Sequence, residues 1–182
     1  MTDVTPTHLA LITGASRGLG RAIALALADR GVSLHLVADA TLDELQAVAA
    51  ECAARAPGVR VTHAIVDLSR PDTPAAMVDE AVRLHGRIDV LVNNAGVRVR
   101  KPFGEFSAAD FDLVMHVNTR APFLASQAAA AHMRRAGRGR IINVASQLGT
   151  VTDTHASLYG LSKAALLYLT DRKSTRLNSS HG

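Results

Sequence analysis

One cysteine, Cys52, no tryptophan and an aromatic content of 3% set the first limits on this 182-residue sequence. A lone thiol cannot close an internal disulfide, which excludes the cross-linked scaffolds of small secreted domains. So few aromatic rings leave little surface on which nucleic-acid bases could stack. Charge gives a nucleic-acid partner no better support. The formal balance is +4, but without residues 171–182 it falls to +2, with 17 Lys and Arg against 15 Asp and Glu. A surplus that small describes a solvated surface. No apolar run approaches the roughly 20 residues of a membrane-spanning helix. The start Met-Thr-Asp-Val-Thr-Pro lacks the basic-then-apolar order of a signal peptide. The eight histidines form no ligand-spaced set with cysteine or carboxylates and read as structural or solvated. The expectation is a cytoplasmic protein with no nucleic-acid, membrane or metal partner.

What is present is 48% hydrophobic residues with 20% charged ones, rich in Ala, Val and Leu, over a length that suits one domain spanning residues 1–170. Short apolar runs alternate with stretches of helical spacing. A strand over 8–13 breaks at Gly14, and a helix over 21–29, with Ile23 and Leu27 one turn apart, stops at Gly31. Further strands are expected over 34–37, 61–66, 88–92 and 140–144. Helices are expected over 42–54, from the turn at 69–74 to His85, over 108–117 and 122–135, and from Ser157. This alternation predicts an α/β fold, a doubly wound parallel sheet of Rossmann type with helices on both faces.

Four places in this frame carry chemistry. Thr13-Gly14-Ala15-Ser16-Arg17-Gly18-Leu19-Gly20 follows the first strand and opens a helix. Glycines there let the backbone turn sharply and approach a pyrophosphate, which free N–H groups at the helix start would hold. Asn93-Asn94-Ala95-Gly96 interrupts the chain after the fourth strand, and Asn118 stands in Val117-Asn118-Thr119. Tyr159 and Lys163 lie four apart, on one face of a helix, with Ser146 thirteen residues before the tyrosine. A phenol ordinarily titrates at about 10, so proton exchange near neutrality needs a nearby cation that favours the phenolate. Singly, each feature has a simpler reading. The glycine turn could be structural, Ser146 a turn residue, Asn93 and Asn94 a loop closure, Asn118 a helix cap, and Tyr159 with Lys163 an exposed pair.

Together and in this order, from Leu9 to about Thr170, they resemble the compact branch of the short-chain dehydrogenase/reductase family. The resemblance implies a catalytic set of Ser146, Tyr159, Lys163 and Asn118. Tyr159 would exchange a proton with the substrate oxygen and Ser146 would hold that oxygen. Lys163 would bind the nicotinamide ribose and favour the phenolate, and Asn118 would hold a water linking Lys163 to solvent. It further implies dinucleotide contacts from Gly14, Ser16, Arg17, Gly18, Leu19, Gly20, Asp39, Asp67, Asn94, Ala95 and Gly96. The cofactor is NAD or NADP. Asp39, one residue later than the family's usual NAD-selecting aspartate, favours NAD, and Arg17 favours NADP by its reach to a 2′-phosphate. The implied reaction interconverts an alcohol and a ketone in a homo-oligomer. A non-catalytic dinucleotide-binding regulator is the alternative, and an epimerase or dehydratase of the longer branch is disfavoured by the glycine spacing. Val97, Arg98, Gln147 and Leu148 flank these positions without defining a substrate.

After Thr170 the sequence turns polar, without apolar period. Read plainly it is an unstructured tail. Residues 171–182 also resemble the in-frame translation of a widely used short-read sequencing adapter, and on that reading are foreign to the fold. The family resemblance would continue through a sixth strand, a substrate-covering loop and a seventh strand. Without them the fifth strand is expected to leave an apolar edge unpaired, and the chain as written to be poorly soluble and inactive.

Overall fold

The computed structural model describes residues 8–151 and 153–174, with side chains described as far as residue 170. Five strands, β1 (Leu9–Thr13), β2 (Ser33–Ala38), β3 (Val61–Ile65), β4 (Val90–Asn93) and β5 (Arg140–Asn143), form one parallel sheet in the order β3-β2-β1-β4-β5. The helices are α1 (Gly18–Ala28), α2 (Leu42–Arg55), α3 (Thr73–His85), α4 (Ala108–Met115), α5 (Ala121–Arg135) and α6 (Ser157–Ser174). Element boundaries move by only a few residues from expectation, except at two places. The helices expected over 108–117 and 122–135 are continuous, joined through a π-helical turn at His116–Arg120. α6 also continues through Ser174, four residues past the expected domain boundary, because a polar run free of Gly and Pro can propagate an existing helix. The rest of the proposed tail lies outside the described residues. No described helix is long and apolar enough to cross a membrane.

The sheet is covered on both faces because its strands alternate. Ala10, Ile12, Leu34, Leu36 and Ala38 pack with α1 and α2, while Leu9, Leu11, Val37 and Leu91 pack with α3 and α5. Cys52, fully buried in the first of these layers, is a free thiol whose burial pushes its titration up. β3 and β5 are the edge strands of the described sheet, and on β5 Ile142 is 48% exposed.

One polar cluster lies inside the α3 face. The parallel register sets His35 opposite Thr62, whose hydroxyl lies 2.8 Å from His35 Nδ1 and 2.7 Å from His85 Nε2. His35 Nε2 has no hydrogen-bond partner among the described residues. Burial first, and the neighbouring His85 second, lower the His35 imidazole from 6.5 to about 4.

Candidate active site

The residues picked out in the sequence converge on the carboxyl ends of the strands, where a parallel sheet opens into a crevice. Gly14 to Gly20 follow β1, Asp39 follows β2, Asp67 lies just beyond β3, Asn94 to Gly96 follow β4 and Ser146 lies beyond β5. The first turn is built around backbone contact. Gly14 and Gly18 have φ of 66° and 54°, in the left-handed region. At Gly20 a Cβ would stand 2.1 Å from the Gly14 carbonyl oxygen and 2.6 Å from Asn94 Nδ2, so only glycine fits. The helix ladder begins with Arg21 N–H donating to Arg17 C=O at 3.2 Å, which leaves the N–H groups of Gly18, Leu19 and Gly20 for an external acceptor. Ser16 is half-buried beside them, and Arg17 and Leu19 are exposed.

The loop after β4 holds this turn in place. Thr13 Oγ1 accepts from the N–H groups of Asn94 (3.1 Å) and Ala95 (3.0 Å), and Asn94 Nδ2 donates to the carbonyls of Thr13 (3.0 Å) and Gly14 (3.2 Å). Asn94 thus spends its amide hydrogens on the glycine turn. Asn93 Nδ2 donates to Asn143 Oδ1 at 2.8 Å and to Ser126 Oγ at 3.2 Å, tying β4 to β5 and α5. Asp39 is exposed at the end of β2. Asp67 accepts from the Ser69 hydroxyl (2.6 Å) and N–H (2.8 Å) through Oδ1, and these bonds hold its carboxyl below the usual range.

Tyr159 and Lys163 come together on α6 as the spacing requires. Lys163 Nζ lies 5.6 Å from the Tyr159 ring centroid. It is buried at 3% exposure, and it donates to Val144 C=O at 2.7 Å with no carboxylate partner among the described residues. Burial alone lowers its ammonium below the usual range. Asn118, fully buried in the π turn, is not a cap. Its Oδ1 accepts from Val97 N–H (2.8 Å), and its Nδ2 donates to Val97 C=O (2.9 Å) and Ser162 Oγ (3.0 Å). Gly96 brings these parts together, because a Cβ there would stand 3.4 Å from Asn118 Oδ1 and 3.6 Å from Lys163 Nζ. Ser146 Oγ accepts from Leu148 N–H at 3.2 Å, capping the short 3₁₀ turn Gln147–Gly149, so its own O–H stays available.

That turn is pressed onto α6 at two glycines. A Cβ on Gly160 would meet Leu148 C=O at 2.7 Å, and one on Gly149 would meet the Lys163–Ala164 backbone at 3.0 Å. Sequence reasoning passed over Gly160, although a glycine inside a helix is itself a signal of close backbone approach. It also passed over Thr13, Ser162 and Val144, whose partners are remote in sequence.

Comparison with known proteins agrees with this geometry. The family model for short chain dehydrogenase matches residues 8–180. Gluconate 5-dehydrogenase of Gluconobacter oxydans is 36% identical over 168 residues, 91% of this chain and 64% of that protein. The chain therefore spans less than two thirds of the length of the curated relatives it matches. A crystal structure of a metagenomic short-chain oxidoreductase in complex with NADP superposes with a TM-score of 0.87 at 37% identity, covering 93% of this chain and 75% of that one. NAD+-bound xylitol dehydrogenase gives a TM-score of 0.84 at 30% identity, covering 91% and 63%. The chain belongs to the short-chain dehydrogenase family.

Proposed function

We propose that the protein is an NAD(P)-dependent oxidoreductase that interconverts an alcohol and a ketone on a small molecule. Lys163 carries this reading. Its buried ammonium has one acceptor, the Val144 carbonyl, so two of its three N–H donors want oxygen partners. The ribose hydroxyls of a nicotinamide dinucleotide are such partners. The glycine turn fits the pyrophosphate of the same molecule, since the N–H groups of Gly18, Leu19 and Gly20 have no acceptor in the helix ladder, which starts at Arg21. Gly14, Ser16, Arg17, Gly18, Leu19 and Gly20 would hold the phosphates, Asp67 the adenine, Asp39 the adenosine ribose, and Asn94, Ala95 and Gly96 the floor of the site. Solved relatives bound to NADP and to NAD+ support either cofactor. The opposed charges of Asp39 and Arg17 leave NAD slightly favoured.

When bound, the nicotinamide supplies or accepts the hydride. This chain's residues handle the oxygen and its proton. Tyr159 Oη gives or takes the proton, and the Ser146 O–H donates to the same oxygen. Lys163 stabilises negative charge on the phenol as the proton leaves. Asn118 is a positioning residue that fixes Val97 and Ser162 around Lys163, and its Oδ1 is the group toward which a water linking Lys163 to solvent would turn.

Removing the phenolic oxygen with Tyr159→Phe tests the assignment. In a form that spans the full length of its relatives, turnover, read from NAD(P)H absorbance over a panel of ketones and secondary alcohols, should fall by about a hundredfold or more, with the dinucleotide Kd unchanged. Unchanged turnover refutes the role of Tyr159. Dinucleotide binding without turnover on any substrate would favour the regulator reading. We propose further that the protein self-associates through a groove of about 670 Å³ between the π turn, α5 and α6. Its lining includes Phe123 and Tyr168, which are 45% and 65% exposed, but neither Ser146 nor Tyr159.

A further inference from the structure

Tyr159 has a second cation beside it. Arg98 Cζ lies 5.5 Å from the ring centroid, as near as Lys163 Nζ at 5.6 Å. The two differ in what surrounds them. Lys163 is buried against Val144, whereas the Arg98 side chain is 38% exposed, on the loop that leaves Gly96. Arg98 Nη2 donates to Asp153 Oδ2 at 3.0 Å, and Arg100 Nη1 reaches the same oxygen at 3.5 Å. The Asp153 carboxyl is held below its usual range first by the His155 N–H and then by the two arginines, so it stays ionised. Two guanidinium groups therefore share one carboxylate. The neighbouring Lys101 does not change that balance, because it is paired with Asp110 at 2.6 Å. One positive charge is in excess beside the phenol, and among the described residues one of the five Arg98 N–H donors is committed, to Asp153.

Resting on the oxidoreductase reading, in which Lys163 serves the cofactor, we infer that Arg98 binds a carboxylate of the substrate. The preferred substrates are then short hydroxy acids and their oxo acids. A guanidinium against the ring and a reacting oxygen at the hydroxyl of that ring can be bridged only by a small molecule, which points to 2- and 3-oxo acids over neutral ketones or long-chain ones. Arg–carboxylate pairing is directional and charge-assisted, so it orients the carbonyl as well as retaining it. Asp153 is the competitor. It occupies one guanidinium donor and offsets part of the charge that would attract the substrate carboxylate.

The chain has two tyrosines, Tyr159 and Tyr168, so protein labelled with 3-fluorotyrosine gives two ¹⁹F signals, assigned with Tyr168→Phe. The dinucleotide-saturated protein is titrated with two matched pairs, pyruvate against pyruvamide and 3-oxobutanoate against 3-oxobutanamide. In at least one pair the acid should shift the Tyr159 signal with a Kd about tenfold or more below that of its amide. Arg98→Gln should abolish the difference, Arg98→Lys should keep part of it, and Arg100→Gln, which leaves Asp153 to Arg98 alone, should narrow it without abolishing it. Asp153→Asn should tighten the acid and not the amide, a change that a merely structural Arg98 would not give. Equal Kd values within both pairs, or an acid preference that survives Arg98→Gln, overturn the inference. If Arg98→Gln does not fold by circular dichroism, failure of Asp153→Asn to tighten the acid overturns it. NADH and NADPH oxidation is followed on the same samples. Equal turnover of acids and amides leaves the oxidoreductase standing without the anion site, whereas acid-selective shifts without oxidation leave the anion site without the enzyme.

Discussion

Acid should unfold this protein through His35. The imidazole is completely buried between Thr62 and His85, with one ring nitrogen bonded and Nε2 without an acceptor. A protonated ring needs acceptors for two N–H groups, and here the second would be left bare. The facing groups do not rescue it. His85 and His63 disfavour the cation, and only Glu80 favours it, against a larger cost of burial. The unfolded chain takes up this proton near 6.5 and the folded chain only at about 4. Acid therefore favours the unfolded state throughout that window. The stability due to neutral His35 is complete above the window, is lost as the pH falls through it, and changes no further below. A single group with those two values removes about 2 kcal/mol between roughly pH 7 and pH 5, and about 3 kcal/mol by roughly pH 4. His85, also lowered by burial first and Arg60 second, adds in the same direction.

Urea denaturation followed by far-UV circular dichroism over that pH range measures the loss. His35→Phe keeps a ring of similar size and removes the titration. Thr62 Oγ1 keeps His85 Nε2 at 2.7 Å and the Leu34 carbonyl at 3.4 Å as partners, so the substitution does not orphan the hydroxyl. The variant should lose markedly less stability than the wild type as the pH falls. Parallel losses in the two proteins would refute the reasoning and place the acid sensitivity elsewhere.

Two substitutions test the site through its backbone and its buried charge. Gly20→Ala drives a methyl into the Gly14 carbonyl, which cannot yield without opening the turn. It should weaken dinucleotide binding by calorimetry at least about tenfold, a loss of roughly 1.4 kcal/mol. Lys163→Met removes an ammonium that is buried with a single acceptor. The ligand-free protein should melt at the same or a higher temperature, while the stabilisation given by added NAD or NADP, which follows the ratio of ligand concentration to Kd, should largely vanish. A strong loss of ligand-free stability would contradict that account.

The alternation of strands and helices and the glycine turn at the crevice were legible because they rest on local signals. Apolar runs of strand length alternate with helical spacing, and the glycines at 14, 18 and 20 stand where a strand turns into a helix. Tyr159 and Lys163 were legible for the same reason, being one helical turn apart. The π turn was not, since the extra residue that widens a turn leaves no mark on composition. Asn118 therefore read as a possible cap between two helices, although its side chain holds Val97, 21 residues earlier. Arg98 and Asp153, 55 residues apart, are charges in two loops until the fold sets both beside Tyr159. His35 and Thr62 meet only through the parallel register of β2 and β3, which no single strand's sequence contains.

A buried base with too few partners is not by itself a sign of function, and this molecule holds an instance of each kind. His35 and Lys163 are both buried, and burial lowers both. His35 meets that cost by losing its proton, and it is enclosed by β3 and α3 beside the apolar layer. Lys163 stands at the carboxyl end of the sheet, where other local rules fail at once. Gly160 stands within its helix where a side chain would clash with the Leu148 carbonyl, a π turn replaces α-helix at Asn118, and the glycine turn leaves no room for a Cβ at Gly14 or Gly20. These departures share one geometric effect, since each brings backbone or amide groups close to a space that has acceptor-seeking N–H groups on two sides, Lys163 on one and Gly18 to Gly20 on the other. Local cost accepted repeatedly around one space is what distinguishes a binding site from a tolerated imperfection in packing. By that criterion we assign function to the crevice and a structural role to the histidine cluster, so His35→Phe should leave dinucleotide affinity unchanged while altering the acid limb of stability.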